Sequence, residues 1–157
     1  MGIYRVLGCF FLLTAVIFRL PAQNSVGNPS REPGTVSAPE SLIGLTLEGL
    51  YALFGPPGEA YCVRGAEEWQ DDVVLVYPQG DFYVYRDRVW QLGLGAARGI
   101  RVGDPRAAVL LALGQDAEEH GDYLLLPLRG GSWPMTLRVN LGESGRAAAI
   151  FLYRSDF

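Results

Sequence analysis

IGLTLEGLYALFGPP, residues 43–57, is the stretch that decides the fold, because a second version of it, VGDPRAAVLLALG, returns at residues 102–114. With Gly44 set against Gly103, residues Leu50, Tyr51, Phe54 and Gly55 fall on Val109, Leu110, Leu113 and Gly114. Apolar positions three and four apart build one buried stripe along a short helix, and the closing glycine supplies a left-handed stop. Thr46 is placed to cap the first helix, and Asp104 the second, with Pro105 in its first turn. Pro56 and Pro57 prevent the first helix from continuing.

Working downstream, RVWQLGL at residues 88–94 matches RAAAIFL at 146–152. Each follows a turn, Arg86-Asp87 in one case and Gly142-Glu143-Ser144-Gly145 in the other, so each closes a hairpin. Earlier strands are predicted at Val73 to Tyr77 and Tyr123 to Leu128, with weaker ones at Glu59 to Arg64 and around Asp116 to His120. The expected fold is α+β: two tandem helix-plus-antiparallel-sheet repeats, residues 41–96 and 97–157, with the helices packed on one face of a shared antiparallel sheet.

Strand alternation then assigns the faces. Leu137, Val139, Ala148, Ile150 and Leu152 share a core face, opposite Thr136, Arg138, Asn140, Ala149 and Phe151. The same logic turns Tyr83, Tyr85, Trp90, Leu92 and Leu94 inward and leaves Phe82, Val84, Val89 and Gln91 outside. That outer side is apolar enough to need a use, so Phe82, Val84, Val89, Phe151 and Tyr153, with Arg138 at the edge, are the expected partner-binding surface; the alternatives are a shifted register, or a second layer or a symmetric copy of the chain covering the face. Trp69, set among Glu67, Glu68, Asp71 and Asp72, adds an acidic loop with a central aromatic that suits a basic partner. Trp133, beside Pro134 in a loop, reads either as a core plug or as another anchor.

Working upstream, Arg5 followed by the apolar run Val6 to Phe18 and by Leu20-Pro21-Ala22 has the outline of a signal peptide, residues 1–22. The run is shorter than the roughly 20 residues a spanning helix needs, and Arg19 interrupts it. Cys9 lies at the start of the run, where a lipid-attachment cysteine would follow it, so it reads as part of the leader. Residues 23–40 are rich in Asn, Ser, Gly and Pro and read as a flexible linker. Membrane proximity would then come through a partner or an uncleaved leader.

All thirteen basic residues are arginine, the formal net charge is −4 and the arginines are scattered, which excludes nucleic acid as a partner class. Cys62 is the one cysteine outside the leader; flanked by Tyr61 and Val63, it reads as a small buried hydrophobe. His120 is the only histidine, and nothing orients a Cys62–His120 dyad. Glu118, Glu119, His120 and Asp122 are neighbours that point apart, so they read as a solvated loop and not a metal site. Gly93-Leu94-Gly95 follows a strand without a helix N-terminus, and Gly130-Gly131 sits in a loop, so no phosphate cradle is expected. The residue inventory therefore predicts no catalysis and no cofactor.

The segment from Ile43-Gly44-Leu45-Thr46 to Leu53-Phe54-Gly55-Pro56-Pro57, followed by strands and a polar hairpin turn, resembles the repeat unit of the small outer-membrane assembly lipoproteins of the BamE (SmpA/OmlA) type. The tandem arrangement is similar to that of the β-lactamase inhibitor proteins, which carry the unit twice on one continuous sheet. The resemblance runs from about Leu42 to Tyr153. It implies an exported, non-catalytic module, periplasmic or outer-membrane associated, that binds or scaffolds another envelope protein, with a role in outer-membrane assembly; the alternative it implies is a protein inhibitor of a hydrolase. Two departures stand out. No lipid-attachment cysteine follows the leader, and the inhibitors' internal disulfides cannot form with Cys62 alone.

Overall fold

The computed structural model of the chain describes residues 38–64 and 72–156. The leader expected over residues 1–22, the linker as far as residue 37, and Trp69 lie outside these described residues. A short 3-10 turn, Pro39–Leu42, leads into α1 (Leu47–Phe54), which is followed by β1 (Glu59–Val63), β2 (Asp72–Tyr77), β3 (Gly80–Tyr85) and β4 (Arg88–Leu94). A two-residue hairpin, β5 (Ala96–Ala97) and β6 (Ile100–Arg101), precedes α2 (Arg106–Leu113). Then come β7 (Glu118–His120), β8 (Tyr123–Leu128), β9 (Met135–Leu141) and β10 (Ala147–Arg154).

Eight of these strands form one antiparallel sheet in the order β1-β2-β3-β4-β10-β9-β8-β7. This corrects the expectation of two helix-plus-sheet repeats: the unit of the fold is a single eight-stranded sheet, and the helices are two short accessories of eight residues each. The physical reason lies in the lengths. Two turns of helix fall well short of the roughly 12–15 residues at which a helix has standing of its own. Strand pairing is unbroken across the middle, where Ile150, Phe151, Leu152 and Tyr153 of β10 pair with Leu94, Gly93, Leu92 and Gln91 of β4.

One core lies against one face of this sheet. Leu75, Phe82, Val84, Val89, Leu92, Leu124, Leu137, Val139, Ile150 and Leu152 form it, closed over by Leu42, Leu50, Ile100, Val109 and Leu113. Phe54 from α1 meets Tyr77 and Phe82 with ring centroids 5.6 and 5.8 Å apart, and Tyr77 and Phe82 meet edge-on at 5.3 Å. The Tyr77 hydroxyl donates to the Gly55 carbonyl at 3.0 Å, tying the end of α1 to the sheet.

Each helix start is fastened to a strand by the same bonds. Gly44 N–H donates to Val89 O (2.8 Å) and Val89 N–H to Leu45 O (2.9 Å); Gly103 N–H donates to Ala147 O (2.7 Å) and Ala147 N–H to Asp104 O (2.8 Å). The guanidinium of Arg88 adds a bond to Gly44 O and that of Arg146 one to Gly103 O. Gly44 has φ +88, and a Cβ there would stand 2.5 Å from the Trp133 indole nitrogen, so no other residue fits. Thr46 caps α1 as expected, accepting from Gly49 N–H at 3.1 Å. Asp104 does not cap α2: its carboxylate accepts instead from Arg101 N–H at 2.8 Å, and Pro105 holds the cap position.

Two bulges correct the face assignments. Tyr83 pairs with Gln91 but Val84 with Val89, so Trp90 is the extra residue of a β-bulge and parity reverses across it. Phe82, Val84 and Val89, expected on the outer surface, are core residues at 1%, 5% and 1% exposure. Tyr83, expected inside, takes the outer side in their place, and Gln91 lies outside as expected. A second bulge, between Ala147 and Ala149, buries Ala147 and leaves Ala148 exposed, the reverse of the expected core position.

The burial predicts a contrast measurable by urea denaturation. Phe82→Ala should cost about 3–5 kcal/mol, the usual loss for a large aromatic removed from a packed core. Phe151→Ala, on the opposite face, should cost about 1 kcal/mol.

Candidate functional site

The outer face of the sheet is set by strand register. One row runs Asp81–Gly93–Phe151–Arg138–Leu125–Glu118 across β3, β4, β10, β9, β8 and β7. The next runs Tyr61–Val74–Tyr83–Gln91–Tyr153–Thr136–Pro127 from β1 to β8. A third joins Ala149, Asn140, Tyr123 and His120. Of the residues expected to bind a partner, this face holds Arg138, Phe151 and Tyr153, all half-buried; Phe82, Val84 and Val89 are on the other side.

Between β4, β10 and β9 the face dips into a shallow groove of about 430 Å³ lined by Trp90, Gln91, Arg138, Asn140, Phe151 and Tyr153. Gly93 makes the seat for its central ring: a Cβ there would lie 3.7 Å from the Phe151 ring and 3.3 Å from the Asp81 Cβ. An aromatic side chain resting over a strand glycine recovers the packing that the glycine omits. Tyr83 meets Phe151 edge-on, centroids 6.4 Å apart. The bulge that puts Trp90 out of register lets its indole N–H donate to Asp72 at 2.9 Å.

Arg138 is the charge in this groove. Its guanidinium carbon stands 4.1 Å from the centroid of the Tyr123 ring, and its Nε donates to Asn140 Oδ1 at 2.6 Å. Tyr123 is itself stacked on His120, centroids 4.9 Å apart. A second cavity, of about 470 Å³, opens on the core side over Leu94, Leu128, Leu137 and Leu152, where Arg98 at its rim is already paired with Glu40 at 3.0 Å.

The residues with chemical reactivity do not converge. Cys62 is exposed on β1 and His120 on β7, the two opposite edges of the sheet with six strands between them. At about 4.8 Å per strand they are roughly 30 Å apart, so a dyad cannot form. This corrects the burial expected for Cys62. Glu119 is bound to Arg106, and Glu118 lies 3.4 Å from His120. Among the described residues no group of His, Cys, Asp and Glu side chains is arranged to hold a metal ion.

Tyr83, Trp90, Gln91, Tyr123 and Asn140 belong to this face without having been expected as site residues. For Tyr123 and Asn140 the signal was alternation with Arg138, read across the β8–β9 ladder. For Tyr83 and Trp90 it was hidden by the bulge. Trp133 is used internally, packed against Gly44 with the Arg154 guanidinium 3.8 Å above its ring.

No protein-family model matches the chain, and no curated protein matches it in sequence. Among solved structures its fold is similar to that of an extracellular protein containing an SCP domain from Bacillus anthracis str. Ames. The TM-score is 0.51 at 12% identity, over 84% of this chain and 51% of that one. The chain thus spans about half the length of that protein, and at this identity the likeness is one of fold alone.

Burial raises the Tyr83 phenol above its ordinary value of 10.0, helped by nearby Tyr61, Asp81 and Asp72. Burial, then Tyr51, raises Tyr77 in the same direction. Each keeps its proton in the folded chain at a pH where the unfolded chain has lost it. Their stabilising effect is therefore complete below about pH 10 and disappears as pH rises through the folded-state values. Tyrosinate absorbance of Tyr83→Phe should lose a late-titrating component, and its thermal stability should fall less steeply above pH 10 than that of the parent.

Proposed function

We propose that the chain is an exported, non-catalytic protein-binding module of the cell envelope that holds another envelope protein on the outer face of its sheet. The observation that carries this reading is the groove at the β4–β10–β9 junction, where Trp90, Phe151 and Tyr153 stand half-exposed around one arginine. Tryptophan, tyrosine and arginine are the side chains that dominate binding energy at protein interfaces, because each offers a large rigid area with a polar tip. A face meant only for water would alternate to charged and small polar groups at these positions.

Export is supported by the leader pattern of residues 1–22, and it agrees with the extracellular description of the Bacillus anthracis protein of similar fold. The residue-level resemblance to the outer-membrane assembly lipoproteins suggests a barrel or its assembly partners as the bound protein, with the module periplasmic or outer-membrane associated. The hydrolase-inhibitor reading has less behind it. It would draw on loop-borne aromatics, and Trp133 is spent on internal packing.

Affinity capture from solubilised envelopes separates the two readings. An integral barrel protein or its assembly partners should be recovered, and the Phe151→Ser, Tyr153→Ser double variant should lose at least tenfold of that capture while keeping its circular dichroism. Recovery of a soluble hydrolase would favour the inhibitor reading, and undiminished capture by the double variant would remove the outer face as the site.

A further inference from the structure

The outer-face groove holds a cation whose hydrogen-bonding edge is left open. Arg138 is fixed on two sides, by the Tyr123 ring beneath it and by Asn140 at its Nε. Neither contact uses the two terminal nitrogens, and among the described residues no carboxylate is paired with Arg138. Arg98, Arg106 and Arg154 are paired with Glu40, Glu119 and Asp156, while Arg88 and Arg146 are bonded to backbone carbonyls. Arg64, Arg86, Arg101 and Arg129 also have no carboxylate partner among the described residues, but they are exposed and lie outside the groove, whereas Arg138 is half-buried within it.

Carboxylates on the same face are out of reach or engaged. Asp81 lies in the same row but three strands away, roughly 14 Å at ordinary strand spacing. Glu118 is two strands off on the other side and faces His120. Asp72 accepts from the Trp90 indole. A half-buried guanidinium held by stacking and by Nε has paid most of the ordering cost of a planar fork, which fits a carboxylate through two parallel bonds.

We propose that Arg138 is the specificity-determining residue of the groove and that it takes the side-chain carboxylate of an acidic peptide segment of the partner, whose neighbouring apolar residues pack on Trp90, Phe151 and Tyr153. The proposal rests on the outer-face reading above and adds the chemistry of the partner to it. An internal segment is favoured over a chain end because the groove is shallow and crosses three strands, with no closed end to receive a terminus. The chain is itself acidic, with net charge −4, so a general attraction does not bring in such a segment. Recognition depends on this one local charge.

The test uses the full chain. It is panned against displayed random linear peptides fused through their C-termini, and the selected sequences are then made as amidated synthetic peptides and titrated calorimetrically. Selected peptides should share an Asp or Glu beside an apolar residue. Arg138→Gln should weaken them at least tenfold, Arg138→Lys should restore only part of the loss, and the folded state of both variants should match the parent by urea denaturation. Exchanging the peptide's Glu for Gln should cost the parent as much as Arg138→Gln does, and cost the Arg138→Gln variant nothing more.

Peptides that lose affinity in Phe151→Ser but are indifferent to Arg138→Gln would overturn this inference and leave the outer-face reading standing. Peptides indifferent to both substitutions would overturn the two together. A library that yields no binder would also overturn the inference.

Discussion

The pairing of β10 with β4 is the joint on which the rest of the molecule depends. Without it β4 and β10 would each end a four-stranded ladder, and the core would be open along one side. The joint places Leu152 beside Leu92 and Ile150 beside Leu94, so the two most buried stretches of the sheet become one apolar floor. On the reverse side the same pairs place Phe151 beside Gly93 and Tyr153 beside Gln91. One set of backbone bonds thus builds the core and the groove together, because alternate residues of a strand go to opposite faces.

The helices have a different standing from the one their sequences suggested. IGLTLEGLYALFGPP and VGDPRAAVLLALG do form helices, and their glycine stops are where the spacing puts them, but each is two turns long. Their positions come from bonds to strands, through Gly44 with Val89 and Gly103 with Ala147. The strands carry the fold, and the helices cover part of the core they make.

How far the sequence could be read depended on what local pattern encodes. Strand existence was legible even at the weak edges: Tyr61 and Val63 mark Glu59–Val63, while Glu118–His120, with no β-branched residue, was marked only by the glycine-containing turns on either side of it. The second hairpin's faces were legible for Leu137, Val139, Ile150 and Leu152. The first hairpin's were not, since nothing in RVWQLGL announces that Trp90 is a bulged residue. One bulge reverses every assignment on its far side. That exchanged Phe82, Val84 and Val89 for Tyr83 as the outward residues, while Arg138, Phe151 and Tyr153, on the regular part of β9 and β10, were placed on the outer face from sequence. Asp104 was a misread of another kind: an aspartate before a proline is a common cap, but here the small β5–β6 hairpin offers the Arg101 amide first.

The strand that completes the groove is also the last of the sheet to be synthesised. Leu94 must wait for Ile150, so their contact closes a long loop and contributes to a slow, high-contact-order topology. Until that closure β4 offers the unpaired edge of a partial sheet, the state most exposed to wrong association. Phe151, Tyr153 and Arg138 are scattered in the same interval. The outer-face groove therefore arises only with the final docking of the sheet, and a half-folded chain does not yet present it.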